Sequence, residues 1–155
     1  MPRKTNHRMH AHINPFNPLN FDHPINIRFV DWSVHYPLFY GIKDNNKNKI
    51  VVNTKKNPMP GSYVTLCDKQ GPTPSILDIG CGYGGLMFQL TKGFPNQLIL
   101  GLEIRDKVAN FVGEKINSIR HNSNQTKCAN TAIIRSNAMK TMTNYFPKQS
   151  VRTAS

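Results

Sequence analysis

Three glycines flanked by two acidic residues form the group in this sequence best suited to chemistry. Asp78 lies two residues before Gly80, and Gly82 and Gly84 follow at alternate positions. Glycines at this density let the backbone turn sharply and approach a ligand with no Cβ in the way. Glu103 follows the turn by roughly 20 residues, the spacing expected of an acid that hydrogen-bonds a ribose. The pattern therefore predicts a binding site for a nucleotide-type cofactor.

The elements that would position these residues alternate between strands and helices. Apolar runs predict strands at residues 75–79 and 98–102, and the candidate residues come directly after both runs. A third run, at 131–134, is followed by Asn137 and Ala138. Between the runs, apolar residues recur three or four positions apart, which predicts helices. This alternation predicts an α/β fold whose parallel sheet would gather all the candidate residues at one edge.

Two classes of cofactor fit a glycine turn of this kind. The spacing Gly80-x-Gly82-x-x-Gly85 satisfies the dinucleotide fingerprint, so a nicotinamide or flavin enzyme is one interpretation. Asp78 and Gly84 extend the pattern to acid-x-Gly-x-Gly-x-Gly, which is typical of S-adenosylmethionine-dependent methyltransferases. That cofactor has no pyrophosphate, and the ammonium of its methionine portion needs an acidic or carbonyl neighbour. These two details favour the methyltransferase interpretation.

The methyltransferase interpretation gives each strand end a role. The glycine backbone would approach the methionine portion of the cofactor, and Glu103 would accept hydrogen bonds from both ribose hydroxyls. Asn137 and Ala138, after the third strand, would flank the adenine. The three strand ends together are a stronger signal than the glycine cluster alone.

The balance of charge indicates a polyanionic partner. Twenty Lys and Arg against eight Asp and Glu give a net charge of +12 and a pI of about 9.9. Nucleic acid is the leading candidate, and a merely basic protein is the alternative. The sequence contains no apolar run of about 18 residues, so no membrane span is predicted, and no secretory signal is expected. An odd number of cysteines (Cys67, Cys81 and Cys128) without C-x-x-C spacing, and histidines without ligand spacing, predict a reduced compartment and no metal site.

The first half of the chain divides by composition. Residues 1–30 are basic and rich in Pro and Asn, and are expected to form a flexible tail suited to nucleic-acid contact or nuclear targeting. Residues 31–74 combine an aromatic segment with a linker. In the segment at 31–40, nucleobases could stack, but packing of the rings onto the main domain is favoured. The Lys/Asn-rich stretch at 42–62 is expected to be a surface loop, in which only residues 50–52 suit a strand.

Several motifs resemble one family. Asp78-Ile-Gly-Cys-Gly-Tyr-Gly-Gly85, Leu98-Ile-Leu-Gly-Leu-Glu-Ile-Arg105 and Arg135-Ser-Asn-Ala-Met-Lys140 closely resemble the catalytic subunit of eukaryotic tRNA (guanine-N7)-methyltransferases. Asp31-Trp-Ser33 with Tyr36-Pro37 resembles the amino-terminal half of that family. The resemblance implies a Rossmann-like S-adenosylmethionine-dependent methyltransferase fold and methyl transfer to guanine N7 in the tRNA variable loop. It also implies a WD-repeat partner subunit that holds the tRNA. A nuclear location, alone or together with the cytoplasm, is expected.

The resemblance implies a set of cofactor-binding residues at the strand ends: Gly80, Gly82, Gly84, Glu103, Ile104, Arg105, Asn137 and Ala138, with Asp78 at the end of the first strand. In the basic start of the chain, Lys4, Arg8 and His10 match the position of the family's tRNA-facing segment.

The sequence departs from the family after the third strand. The family continues into a Phe-Pro-Asp-Pro motif whose aspartate lies at the catalytic position, and this sequence reaches Ser155 without one. Residues 75–148 are therefore expected to form a partial methyltransferase domain, the amino-terminal half with about three parallel strands, and 149–155 an unrelated tail. No catalytic residue is expected, catalysis is in doubt, and a non-catalytic tRNA- or partner-binding fragment is the alternative. In a sheet of order 3-2-1-4-5, the strand at 75–79 would then be an open edge.

Overall fold

The computed structural model describes residues 22–43, 50–59, 63, 65–148, 150 and 152–154. It contains one parallel sheet of order β3-β2-β1-β4, with helices connecting the first three strands. The strands are β1 (Ile76–Ile79), β2 (Ile99–Glu103), β3 (Thr131–Arg135) and β4 (Arg152–Ala154). The helices are α1 (Gly85–Gly93), α2 (Asp106–Asn122) and α3 (Ala138–Tyr145), preceded by 3-10 turns at Ile27–Phe29, Trp32–Val34 and Pro37–Tyr40. The predicted α/β fold with three parallel strands is confirmed.

The fourth strand corrects one prediction. β4 pairs with β1 in parallel, with Ile76 opposite Arg152 and Asp78 opposite Ala154. The expectation that β1 would be an open edge is therefore wrong. A strand pairs through its backbone N–H and C=O groups, so a segment without an apolar pattern can still cover a sheet edge. The division of the chain into domains stays a prediction.

Side chains of the strands alternate between two apolar layers, as the period of two along a strand requires. On one face, Ile76 and Ile99 pack with residues of α1 and α2 such as Met87. On the other face, Leu77 and Leu100 pack with α3 and the amino-terminal aromatic residues. The central strands are consequently covered on both sides, which holds their carboxyl ends in fixed positions.

The aromatic segment is part of the core. Trp32 is 6% exposed and stacks on Phe146, with ring centroids 5.5 Å apart. Tyr36 is fully buried, and its hydroxyl donates to the carbonyl of Ile99 at 2.8 Å. The favoured interpretation, that these rings pack onto the main domain, is confirmed for both residues.

The Lys/Asn-rich stretch contains a buried anchor. Val51 and Val52 are 8% and 0% exposed, and the Val52 carbonyl accepts from the backbone N–H of Arg135 at 2.7 Å. Gly113 of α2 lacks the Cβ that would collide with the Val52 side chain. The expectation of a surface loop is wrong here, because Val52 packs against α2 and Val51 joins the apolar layer on the other face of the sheet, despite their polar neighbours. Among the described residues, this run does not form a strand.

No helix in the described part of the chain is long and apolar enough to cross a membrane.

Candidate functional site

The glycine turn lies beside the carboxyl end of β2. It leaves β1 at Gly80, whose backbone N–H donates to the carbonyl of Leu102 at 2.8 Å, and the N–H of Cys81 donates to the same carbonyl at 3.1 Å. The turn ends at Gly84, the residue that precedes α1. Two strand ends and the start of a helix are therefore held together by backbone hydrogen bonds.

Two of the glycines serve different purposes. Gly84 has a φ of 77°, and a Cβ there would lie 3.1 Å from Phe88 and 3.2 Å from Val112. Both its backbone conformation and its packing require glycine. Gly80 also has a positive φ, of 69°, but a Cβ there would meet nothing within 4 Å. The positive φ alone therefore favours glycine at this position, and the space beside it is open.

Glu103 connects the end of β2 to the glycine turn. Its side chain is 3% exposed, and Oε2 accepts from the backbone N–H of Gly82 at 3.1 Å. Oε1 accepts from the backbone N–H and the Nε of Arg105, both at 2.9 Å, and Oε2 also accepts from its Nη2 at 2.9 Å. Burial raises the pKa of Glu103, but the hydrogen bonds from Arg105 outweigh it and the net shift is downward. Glu103 is therefore a carboxylate at neutral pH.

The Arg105 side chain occupies positions that a ribose would need. Four donors already fill the lone pairs of the Glu103 carboxylate. A diol can bind both oxygens only if the guanidinium of Arg105 releases them, since the two backbone donors are fixed. A ribose can therefore bind Glu103 if its two hydroxyls replace the hydrogen bonds from the Arg105 guanidinium.

Asp78 supplies a buried acceptor with unused capacity. The residue is 6% exposed, and one carboxylate oxygen accepts from the backbone N–H of Met87, while Oδ2 has no partner among the described residues. Burial raises the pKa of Asp78. An unpartnered buried carboxylate oxygen is costly, and a cationic ligand group beside it would remove that cost. This fits the ammonium of the methionine portion of S-adenosylmethionine.

The end of β3 completes the site. The backbone N–H of Ser136 donates to the Glu103 carbonyl at 3.1 Å, which places the following residue, Asn137, next to the end of β2. Asn137 is 5% exposed and precedes α3, and Ala138 is the half-buried first residue of that helix. The half-buried Ile104 accepts at its carbonyl from Nε of Arg135 at 3.1 Å, which joins the two loops.

The geometry thus brings together all the residues predicted to bind a cofactor, and their individual roles stay predictions. The positions predicted to contact tRNA, Lys4, Arg8 and His10, lie outside the described residues. In the described ranges, no cluster of three or more His, Cys, Asp or Glu is placed to hold a metal ion.

Sequence reasoning missed the supporting backbone groups. Met87 holds Asp78 through its N–H, and Ser136 ties β3 to β2. Neither residue type is distinctive, so only the position of Ser136 between a strand and Asn137 offered a signal.

Comparisons with known proteins agree with this geometry. A family model described as "Putative methyltransferase" matches residues 72–154. The tRNA (guanine-N(7)-)-methyltransferase of Kluyveromyces lactis is 37% identical over 96% of this chain and 45% of that protein. The proteins of the same name from Arabidopsis thaliana and Danio rerio are 34% and 37% identical over 96% of this chain, covering 49% and 52% of their own lengths. The chain spans about half the length of the curated relatives it matches.

Proposed function

This chain belongs to the methyltransferase family whose model it matches, and we propose that it acts in methyl transfer from S-adenosylmethionine to N7 of a guanine in tRNA. The observation that carries the proposal is the convergence of three strand ends on one residue, Glu103. Its buried carboxylate accepts from the backbone N–H of Gly82 in the glycine turn, and its backbone carbonyl accepts from the N–H of Ser136 after β3. The similarity to tRNA (guanine-N(7)-)-methyltransferases over nearly the whole chain supports the choice of substrate.

The residues present suit S-adenosylmethionine better than a dinucleotide. Oδ2 of Asp78, which has no partner within the described ranges, lies directly before the glycine turn, where a dinucleotide would place its anionic pyrophosphate. A carboxylate there repels phosphate and attracts an ammonium. Glu103 is expected to accept from the ribose hydroxyls once Arg105 releases it, and Asn137 with Ala138 to flank the adenine.

Methyl transfer to guanine N7 requires alignment of the methyl donor and the acceptor more than acid or base catalysis. S-adenosylmethionine supplies a methyl group bonded to a positively charged sulfur. Guanine N7 has an in-plane lone pair and needs no deprotonation before it attacks. The work of the protein is therefore to hold donor and acceptor in line and to exclude competing orientations. No residue of this sequence is assigned as catalytic.

Binding of tRNA follows from charge in this proposal. A chain with a net charge of +12 neutralises phosphates and releases counterions, so affinity should fall steeply with salt. Lys4, Arg8 and His10 are proposed to contribute to this contact. A WD-repeat partner subunit and a nuclear location, alone or with the cytoplasm, are part of the same proposal.

The proposal is tested by two measurements on the full chain. Calorimetry should show binding of S-adenosylmethionine and not of NAD; a preference for NAD would contradict it. Mass spectrometry of tRNA incubated with the protein and S-adenosylmethionine should detect 7-methylguanosine. Binding of cofactor together with salt-sensitive tRNA binding but no methylation would favour the non-catalytic tRNA-binding fragment instead.

A further inference from the structure

Three lysines gather where the carboxyl end of α1 and the second half of α2 meet the turn before β3. Lys92 lies in the last turn of α1, Lys115 in α2, and Lys127 in the turn that follows α2. Lys92 and Lys127 are exposed, and Lys115 is half-buried. These three residues are called the lysine surface below.

Hydrogen bonds hold the three segments together. The side chain of Asn130 donates to the carbonyl of Thr91 at 3.4 Å, which fixes the turn before β3 against the end of α1. Nε of Arg120, in α2, donates to the carbonyl of Cys128 at 3.0 Å, which fixes the same turn against α2. Both accepting residues are next to a lysine of the lysine surface in the sequence. The backbone therefore holds these lysines close to one another.

The charges of Lys115 and Lys92 act on the same group, the Cys128 thiol. Nζ of Lys115 lies 4.3 Å from the centroid of the Phe88 ring, a cation–π contact that joins α2 to α1. Burial raises the pKa of the Cys128 thiol, and nearby positive charges oppose that rise. They belong to Arg120, Lys115 and Lys92. The side chains of the two lysines therefore approach each other across the groove between the helices.

No acid lies within ion-pair distance of the lysine surface in the part of the chain that the structure describes. The ion pairs found there involve other cations. The nearest acid along α2, Glu114, pairs with Lys56 and accepts from Asn110. The sequence has no Asp or Glu in residues 79–102 or 115–155. The lysine surface is therefore an uncompensated patch of positive charge, which attracts an anion.

The lysine surface lies at the opposite edge of the sheet from the candidate cofactor site. The turn that contains Lys127 leads into the start of β3, and the loop after α1 leads into the start of β2. The candidate cofactor residues follow the other ends of these strands. β2 and β3 have five residues each, a length of roughly 15 Å. An anion that reaches both edges must therefore be a polymer.

We propose that the lysine surface binds the phosphate backbone of the RNA substrate, on a segment away from the base that is methylated. The choice of RNA as the polymer rests on the proposed function. Lysine ammonium groups bind phosphates as point charges and do not read sequence, so this contact would position the RNA and add affinity. Phe94, two residues after Lys92, is 44% exposed and offers its ring to an unpaired base.

The test removes the charges of the lysine surface and measures RNA binding. The unmodified full chain and the triple variant Lys92→Gln/Lys115→Gln/Lys127→Gln are titrated with a tRNA transcript by filter binding at several salt concentrations. Each phosphate contact contributes about 0.7–0.9 to the slope of log affinity against log salt concentration. The triple variant should therefore lose about 2–3 from this slope, and at the lowest salt concentration it should bind tRNA at least tenfold more weakly.

The matched control removes three exposed lysines elsewhere. The triple variant Lys43→Gln/Lys55→Gln/Lys69→Gln lowers the net charge by the same amount and should keep the slope of the unmodified protein. Thermal unfolding of both triple variants is measured in parallel. Calorimetry should show that both bind S-adenosylmethionine like the unmodified protein, because the cofactor site lies at the other edge of the sheet.

Cofactor binding and RNA binding are separate readouts. Absence of S-adenosylmethionine binding, with the expected slopes for tRNA, would contradict the proposed function and leave the lysine surface as an RNA site. Absence of saturable tRNA binding, an unchanged slope in the Lys92/Lys115/Lys127 variant, or an equal loss in the control variant would overturn the proposal. Displacement of tRNA by polyglutamate at an equal concentration of charges would also overturn it, and would indicate an acidic protein as the partner.

Discussion

Replacement of Glu103 by Gln tests the cofactor site at its most connected residue. Glutamine keeps the size of the side chain but loses the negative charge and offers one acceptor oxygen instead of two. In the present structure the carboxylate accepts from Gly82 and from three donor atoms of Arg105. In the variant, one of the two carboxylate oxygens is replaced by an amide N–H₂ group, which then faces a hydrogen-bond donor of Gly82 or Arg105.

The expected loss of affinity follows from the exchange at this carboxylate. Two ribose hydroxyls would form two charge-assisted hydrogen bonds, each contributing about 1.5–3 kcal/mol. In the unmodified protein and in the variant alike, Arg105 must first release the side chain at position 103. Glutamine has one carbonyl oxygen and can accept from only one of the two hydroxyls, so the variant lacks about one such bond. Glu103→Gln should therefore weaken S-adenosylmethionine binding by about 1.5–3 kcal/mol, roughly 10- to 150-fold.

The assay is calorimetric titration with S-adenosylmethionine, with thermal unfolding of each variant measured in parallel. The matched control is Glu114→Gln on α2, an acid that pairs with Lys56 and accepts from Asn110. It should bind the cofactor like the unmodified protein. Unchanged affinity in a folded Glu103→Gln variant would refute the assignment of Glu103 to the ribose.

Three further predictions concern stability. Gly84→Ala should destabilise the fold by about 1–3 kcal/mol, because φ at this position is positive and the new Cβ meets Phe88. Gly93→Ala, at a helical position with open space around it, should leave stability unchanged. Urea unfolding followed by Trp32 fluorescence compares the two variants, and equal losses of stability would contradict this prediction. Arg120→Met should lower the free energy of unfolding by about 3–5 kcal/mol, because the buried guanidinium donates to the carbonyls of four residues. A decrease below about 1 kcal/mol in the same unfolding assay would contradict this role. The pKa of Glu103 is lowered from its ordinary value of 4.5 in the folded protein, so the stability that this carboxylate contributes is present above pH 4.5 and is lost as the pH falls further. Between pH 6 and pH 3 the melting temperature should therefore fall less in Glu103→Gln than in the unmodified protein. Parallel melting curves of the two proteins would contradict this.

Much of the cofactor half of the fold could be predicted from the sequence. The runs that became β1, β2 and β3 are apolar. Gly80 follows β1, β2 ends at Glu103, and Asn137 lies two residues after β3, so periodicity and turn chemistry agree at each strand end. The same agreement located the candidate site, because parallel strands place their carboxyl ends at one edge.

The remaining features depend on contacts that a linear pattern does not display. β4 pairs through backbone groups, which every non-proline residue carries, so its side chains gave no signal. Val52 lies among lysines and asparagines, and only the missing Cβ of Gly113 shows why it docks on α2. The hydrogen bonds from Arg105 to Glu103 likewise depend on how the chain packs.

The most direct test of the central claim is ultraviolet cross-linking of radiolabelled S-adenosylmethionine to the full chain, followed by peptide mapping. Label is expected in peptides that contain the glycine turn at 80–84, the β2 end at 103–105 or the β3 end at 137–138. The label should be displaced by unlabelled cofactor and not by NAD. Label confined to other peptides, or displaced by NAD, would contradict the assignment of the S-adenosylmethionine site to these three strand ends.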